Sequence, residues 1–264
     1  MPHDHAPGRV SLVGAGPGAA DLLTVRAAKA IAGAKALLYD ALVSSDVLDL
    51  APLACLKIQT GKRAGRASMK QETINKLMLR LARRGVDVVR LKGGDPSIFG
   101  RVGEEIDFLR RHGVAVDVVP GVTAACAAAA QFQFPLTHRE TARRVVFTTT
   151  RVRNGALVGD WRVAADPEAT AAICMGGASL GPLSDQLIAA GRKPSTPVLI
   201  VENAGRPDAR SAQATLASLP RLSGFAEGGP VLIIVGDVAA MATTLAVPTA
   251  RETTRAEGLI AVSG

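Results

Sequence analysis

The chain has 264 residues, 48% of them hydrophobic and 20% charged, with a formal net charge of +8. That is enough for one large or two medium α/β domains with their own cores, and too apolar for a disordered chain. Aromatic residues make up only 3%, so stacking platforms for single-stranded nucleic acid are hard to assemble, and the positive balance suits polycarboxylate or phosphate ligands better than bases.

From Arg9 to about Leu136, apolar strands alternate with helical stretches in the βαβ rhythm of a mostly parallel sheet. Strands are expected over 9–13, 36–39, 55–59, 86–91 and 115–119. Between the third and fourth, Ile74, Leu77, Met78 and Leu81 recur at helix spacing within 70–84, and Lys76, Arg80, Arg83 and Arg84 form a solvated outer face. The pattern breaks around Pro135-Leu136-Thr137-His138-Arg139-Glu140. A second set of strands follows over 144–150, 170–174, 197–201 and 231–235, with a helix over 180–190. The expected division is an N-terminal α/β domain (1–138), a C-terminal α/β domain (139–248) and a loosely ordered tail (249–264).

Cys55, Cys126 and Cys174 are too few and too scattered for a disulfide framework or a zinc site. No metal is implied, since His3, Asp4 and His5 read as solvated. The first residues lack the pattern of a signal peptide, and the most apolar run, 122–130, falls short of the ~20 residues of a membrane helix. A cytoplasmic protein without membrane or nucleic-acid partners is expected.

Two loops carry ligand signals. In Val88-Val89-Arg90-Leu91-Lys92-Gly93-Gly94-Asp95-Pro96-Ser97-Ile98-Phe99-Gly100-Arg101, a β-branched run ends where two glycines permit close backbone approach beside a carboxylate. Arg90, Lys92 and Arg101 flank this turn with positive charge, which suits an acidic small molecule. An ordinary strand-turn-helix connection has the same local pattern. Earlier, Gly14-Ala15-Gly16-Pro17-Gly18-Ala19 follows a strand, and Asp40 lies about 20 residues on, as in a dinucleotide-binding domain. Against a nicotinamide dehydrogenase, Pro17 lacks an N–H where a pyrophosphate would seek donors, and the helix is expected to begin only near Asp21 or Thr24.

These segments, together with Tyr39-Asp40-Ala41-Leu42-Val43-Ser44, Gly61-Lys62-Arg63-Ala64-Gly65, Val119-Pro120-Gly121-Val122-Thr123-Ala124-Ala125 and Pro135-Leu136-Thr137-His138-Arg139, occur in the order of one family. From about Arg9 to Val238 the chain resembles the uroporphyrinogen-III C-methyltransferases of the tetrapyrrole methylase superfamily. The resemblance implies two α/β domains with S-adenosylmethionine in the cleft between them, a homodimer, and methylation of uroporphyrinogen III at C2 and C7 to precorrin-2 via precorrin-1. S-adenosylhomocysteine is the second product. By the same resemblance Pro17, Gly93, Gly94, Asp95, Ile98, Thr123, Ala124 and Met175 hold the cofactor. For Ile98 and Met175 a place in the core is the alternative.

The implied acceptor carries eight carboxylates, for which Arg101 and Arg139 are suited. Glu104 either holds a guanidinium or contacts a pyrrole N–H, or it is simply a first-turn acid favoured by the helix dipole. Asp40 and Lys62 match the family's proton acceptor and donor, with a salt bridge or a substrate-carboxylate contact as the alternative for each. Arg101 is a further candidate to assist deprotonation. The chain departs from the family pattern at Ala67, Ser97, Val102, Thr149-Thr150-Arg151, Cys174 and Gln131-Phe132-Gln133-Phe134. These departures leave a related methyltransferase acting on another tetrapyrrole as the alternative function.

Overall fold

The computed structural model describes residues 6–61, 69–153, 156–177, 180–225 and 229–243. Lys62, Ala67 and the expected tail lie outside the described residues. In chain order the elements are β1 (Val10–Gly14), α1 (Val25–Ala32), β2 (Ala36–Tyr39), α2 (Ser45–Leu48), β3 (Leu56–Gln59), α3 (Gln71–Ala82), β4 (Val88–Lys92), α4 (Val102–Arg111), β5 (Val116–Val119) and α5 (Ala124–Gln131). There follow β6 (Arg144–Thr149), β7 (Arg151–Arg153), β8 (Ala156–Val158), α6 (Trp161–Ala164), β9 (Ala169–Cys174), α7 (Leu180–Ala189), β10 (Pro197–Glu202), β11 (Arg210–Thr215) and β12 (Val231–Val235).

The first sheet has the order β3-β2-β4-β1-β5, and every pairing in it is parallel. Strand alternation sends Val10, Leu12, Ala36, Leu38 and Val88 to the face covered by α3 and α4, and Val13, Leu37, Val89 and Leu91 to the face covered by α1 and α2. Helix α1 starts where Thr24 caps it, its hydroxyl accepting from the Ala27 N–H (3.1 Å), after a separate 3-10 turn at Ala20–Leu22.

The second sheet has the order β11-β10-β12-β9-β6 and is mixed: only β6 and β9 run parallel. One face packs on α6 and α7 through Trp161, Ala164, Leu183 and Leu187. The other packs on Ala125 and Ala128 of α5 and on Phe132 and Phe134 beyond it. Helix α5 thus covers the second sheet although it precedes the expected boundary at 138/139. Its alanines let it lie close to the strands, and the fully buried Phe132 fills the space at its end.

Strand β11 and the β7–β8 hairpin were not expected from the sequence. Arg210-Ser211-Ala212-Gln213-Ala214-Thr215 is small and polar and forms an edge strand, so burial imposes little apolar alternation on it.

Candidate active site

Strands β1, β4 and β5 end together, at the carboxyl edge where open parallel sheets bind ligands. Gly16 and Gly94, both at positive φ (68° and 67°), exchange two backbone hydrogen bonds of 3.2 and 2.7 Å. A β-carbon on Gly14 would lie 2.6 Å from the Gly121 Cα and 2.8 Å from the Gly94 carbonyl oxygen. The three loops therefore touch backbone to backbone, which a larger residue at this junction would prevent. Asp95 ties them together: its Oδ2 accepts from the Gly121 N–H (2.9 Å), and its Oδ1 from the Ser97 N–H (2.8 Å) and hydroxyl. Burial alone would raise the Asp95 pKa, but these donors outweigh it and hold the carboxyl below its ordinary value.

Beside this junction, between the sheets, lies a cavity of about 350 Å³, a size typical of small-molecule sites. The second sheet lends it an apolar wall of Phe147, Cys174, Met175 and Leu232. Burial pushes the Cys174 thiol up to about 11, so it stays neutral. The halves are tied by the loop after β10. The Gly205 carbonyl accepts from the Ala19 N–H (3.0 Å), the Gly205 N–H donates to Gln131 (2.9 Å), and Arg206 Nη2 donates to the Leu42 carbonyl (2.8 Å). Leu42 in turn donates its N–H to Asp40 Oδ1 (3.0 Å), while Oδ2 accepts from the Gly93 N–H (3.3 Å).

Under the cavity is a buried polar cluster. Strand alternation sends Arg90 and Lys92 to the α3/α4 face, below Val88, and both are about 5% exposed. Glu105, fully buried on α4, accepts from Lys92 Nζ (3.0 Å) and Gln71 Nε2 (2.9 Å). Arg90 Nε lies 3.5 Å from Glu105 Oε1, an ion-pair distance, and Arg90 Nη1 donates to Thr60 Oγ1 (3.0 Å). Burial pushes the Lys92 pKa below its ordinary value, and Glu105 opposes that shift.

The sequence model of the family described as "Tetrapyrrole (Corrin/Porphyrin) Methylases" matches residues 9–220. A Paracoccus denitrificans uroporphyrinogen-III C-methyltransferase is 44% identical over 91% of this chain and 85% of its own length. The chain belongs to the tetrapyrrole methylase family. A Tolumonas auensis siroheme synthase is 44% identical over 92% of this chain but 52% of its own length, so the chain spans about half of the first curated relatives it matches. Among solved structures, a Thermus thermophilus uroporphyrin-III C-methyltransferase complexed with S-adenosylhomocysteine superposes with a TM-score of 0.76 at 40% identity, covering 89% of this chain and all of that one. A cobalt precorrin-4 methyltransferase does so with a TM-score of 0.75 at 30% identity, covering 86% and 94%.

For this tetrapyrrole methylase, the dehydrogenase reading of the first loop fails on geometry. The Ala15, Gly16 and Ala19 N–H groups are already bonded to the carbonyls of Lys92, Gly94 and Gly205, Pro17 has none, and the start of α1 is capped by its own Thr24. Both Asp40 oxygens are held by backbone N–H groups.

Ten of the expected site residues line the cavity: Pro17, Asp40, Gly93, Gly94, Asp95, Ile98, Arg101, Thr123, Ala124 and Met175. Arg101 caps the start of α4 at positive φ (56°) and forms a two-pronged ion pair with Glu104 (2.8 and 2.7 Å). Glu104 thus holds the guanidinium and is itself absent from the cavity wall. The hydrogen bond from Arg101 draws its carboxyl below the ordinary value. Arg139 is exposed and likewise absent from the wall.

Sequence reasoning missed Glu105 and Gln71. The signal for Glu105 was its spacing of four from Leu109, which sets a carboxylate on the apolar stripe of α4. Gln71, in the first turn of α3, left no comparable mark.

Proposed function

We propose that the chain transfers methyl groups from S-adenosylmethionine to C2 and C7 of uroporphyrinogen III, giving precorrin-2 by way of precorrin-1 and releasing S-adenosylhomocysteine. The observation that carries this reading is the cavity, where a glycine-built cradle and buried cations meet an apolar wall in a chain whose full-length relatives are named for that reaction. The cradle fits the cofactor. A β-carbon at Gly94 would meet nothing closer than 4.0 Å, so the absent side chain leaves room for a ligand. Gly93, Gly94, Thr123 and Ala124 would hold it, with Pro17, Ile98 and Met175 around it and Asp95 keeping the cradle in shape.

When bound, S-adenosylmethionine supplies a methyl group on a sulfonium, open to in-line attack. Asp40 is the proton acceptor for a pyrrole N–H: two backbone donors fix its carboxylate, and each oxygen keeps a lone pair free. Arg101, steadied by Glu104, receives a substrate carboxylate at the rim. Lys62 as proton donor and Arg139 as a second carboxylate contact rest on the family resemblance.

The resemblance also supports a cytoplasmic homodimer. No helix among the described residues is long and apolar enough to cross a membrane.

Incubation with anaerobic uroporphyrinogen III and S-adenosylmethionine should add two methyl groups by mass. A protein that binds S-adenosylhomocysteine but adds none acts on another tetrapyrrole, a reading favoured by Ser97 and Val102 and by the likeness to a precorrin-4 enzyme. Binding of NAD in place of S-adenosylhomocysteine would overturn both.

A further inference from the structure

We propose that Glu105 is a positioning residue: it holds Arg90 and Lys92 side by side beneath the cavity, and these two cations receive a carboxylate of the acceptor. The inference rests on the tetrapyrrole reading above, because it requires a polyanionic substrate.

Within the buried cluster two cations share one carboxylate. Buried cations are held only where counter-charges face them. Thr60, Gln71 and Asn75, which face the cluster from the end of β3 and from α3, are neutral. The other acids felt by Lys92 are Asp40, whose oxygens also accept from Leu42 and Gly93, and Glu104, which is paired with Arg101. Arg90 Nε is shut off from solvent and faces Glu105, but among the described residues Arg90 Nη2 makes no hydrogen bond, and Arg90, 5% exposed, lines the cavity with Lys92. A guanidinium with one nitrogen unpartnered, beside a confined ammonium on a cavity floor, is the arrangement a ligand carboxylate would complete.

Glu105 makes this floor possible. The stem of Lys92 runs beneath the loop, where a β-carbon on Gly100 would lie 3.0 Å from its Cε. So confined, the ammonium depends on Glu105 for its charge: burial disfavours the charged form most, Glu105 restores it, Arg90 opposes it and Asp40 adds a smaller favourable pull.

The test compares wild type, Glu105→Gln and Glu105→Asp. Binding of uroporphyrin III, a stable octacarboxylate, is followed by fluorescence from about pH 7 to 9, alongside calorimetry with S-adenosylhomocysteine and the KM for uroporphyrinogen III. Glu105→Gln should weaken uroporphyrin binding and raise KM at least about tenfold, with kcat and S-adenosylhomocysteine affinity changing less than about twofold. The defect should deepen toward alkaline pH as Lys92 loses its proton, whereas wild type and Glu105→Asp stay level. Wild-type affinity and pH dependence in Glu105→Gln would overturn the proposal, however far its melting temperature fell.

Should that variant not fold, Glu105→Gln with Lys92→Gln preserves the net charge of the pair. A tenfold weakening there supports the proposal, and wild-type affinity overturns it. A wild-type protein that binds uroporphyrin but transfers no methyl group removes the proposed reaction and leaves the cationic floor standing. One that methylates while Glu105→Gln matches it removes the floor alone.

Discussion

The two halves build their shares of the cavity by opposite means. The parallel sheet contributes backbone: Gly14, Gly94 and Gly121 touch where three strands end, and charges sit beneath them. The mixed sheet contributes side chains, chiefly Phe147, Met175 and Leu232. A wall of side chains adapts by changing rotamers, whereas a junction of main chains cannot yield without moving strands. The first half should therefore tolerate substitution poorly and the second well.

Gly121→Ala is the hardest blow to that contrast. The added β-carbon would overlap the Gly94 carbonyl oxygen and lie 2.9 Å from the Gly14 Cα, both backbone atoms. Stability should fall by about 3 kcal/mol or more in denaturant titration, and S-adenosylhomocysteine binding should vanish in calorimetry. Met175→Ala probes the other half. Met175 is 63% exposed, so its truncation should weaken the same ligand only about three- to tenfold and leave stability unchanged. Equal losses in the two variants would mean the halves do not differ in kind.

Acid sharpens the contrast further. The folded-state pKa of Asp95 is depressed, so its contribution is complete above the ordinary carboxylate value of 3.8 and is lost as pH falls through the lower, folded value. Protonation there weakens the bonds from Gly121 and Ser97. Cofactor binding by wild type should decline below about pH 4, and Asp95→Asn should bind weakly with no such acid limb. An unaltered limb in the variant would place the responsible carboxylate elsewhere.

How much of this was legible in the sequence follows from the same division. Strands of the parallel sheet are short, mostly apolar runs closed by turn-forming residues, so β2 is found at its true limits and β1, β3, β4 and β5 within a residue or two. The glycine loops advertised the cradle because close backbone approach demands that residue type. The sheet pairing of the second half was hidden, since apolar alternation does not say whether neighbours run parallel, and β11 lies on an edge where burial asks little. Glu104 was visible as a partner of Arg101 through local spacing, whereas Glu105 meets Lys92 only after α4 folds back over the sheet. Long-range ion pairs leave no mark in the sequence beyond a charge on an apolar stripe.

The smallest expected effect tests whether glycine in the first half is always a matter of contact. Gly103 sits exposed in α4, and a β-carbon there would meet nothing within 4 Å. Its neighbours Arg101 and Glu104 pair without involving it. Gly103→Ala should therefore stabilise the protein by about 0.5–1 kcal/mol, because alanine loses less conformational freedom in a helix. Methyl transfer should be unaffected. A gain in stability with a loss of turnover would instead mean that the start of α4, which carries Arg101 at positive φ, must move during the reaction, and that the rigid half of the cavity is rigid only at its glycine junction.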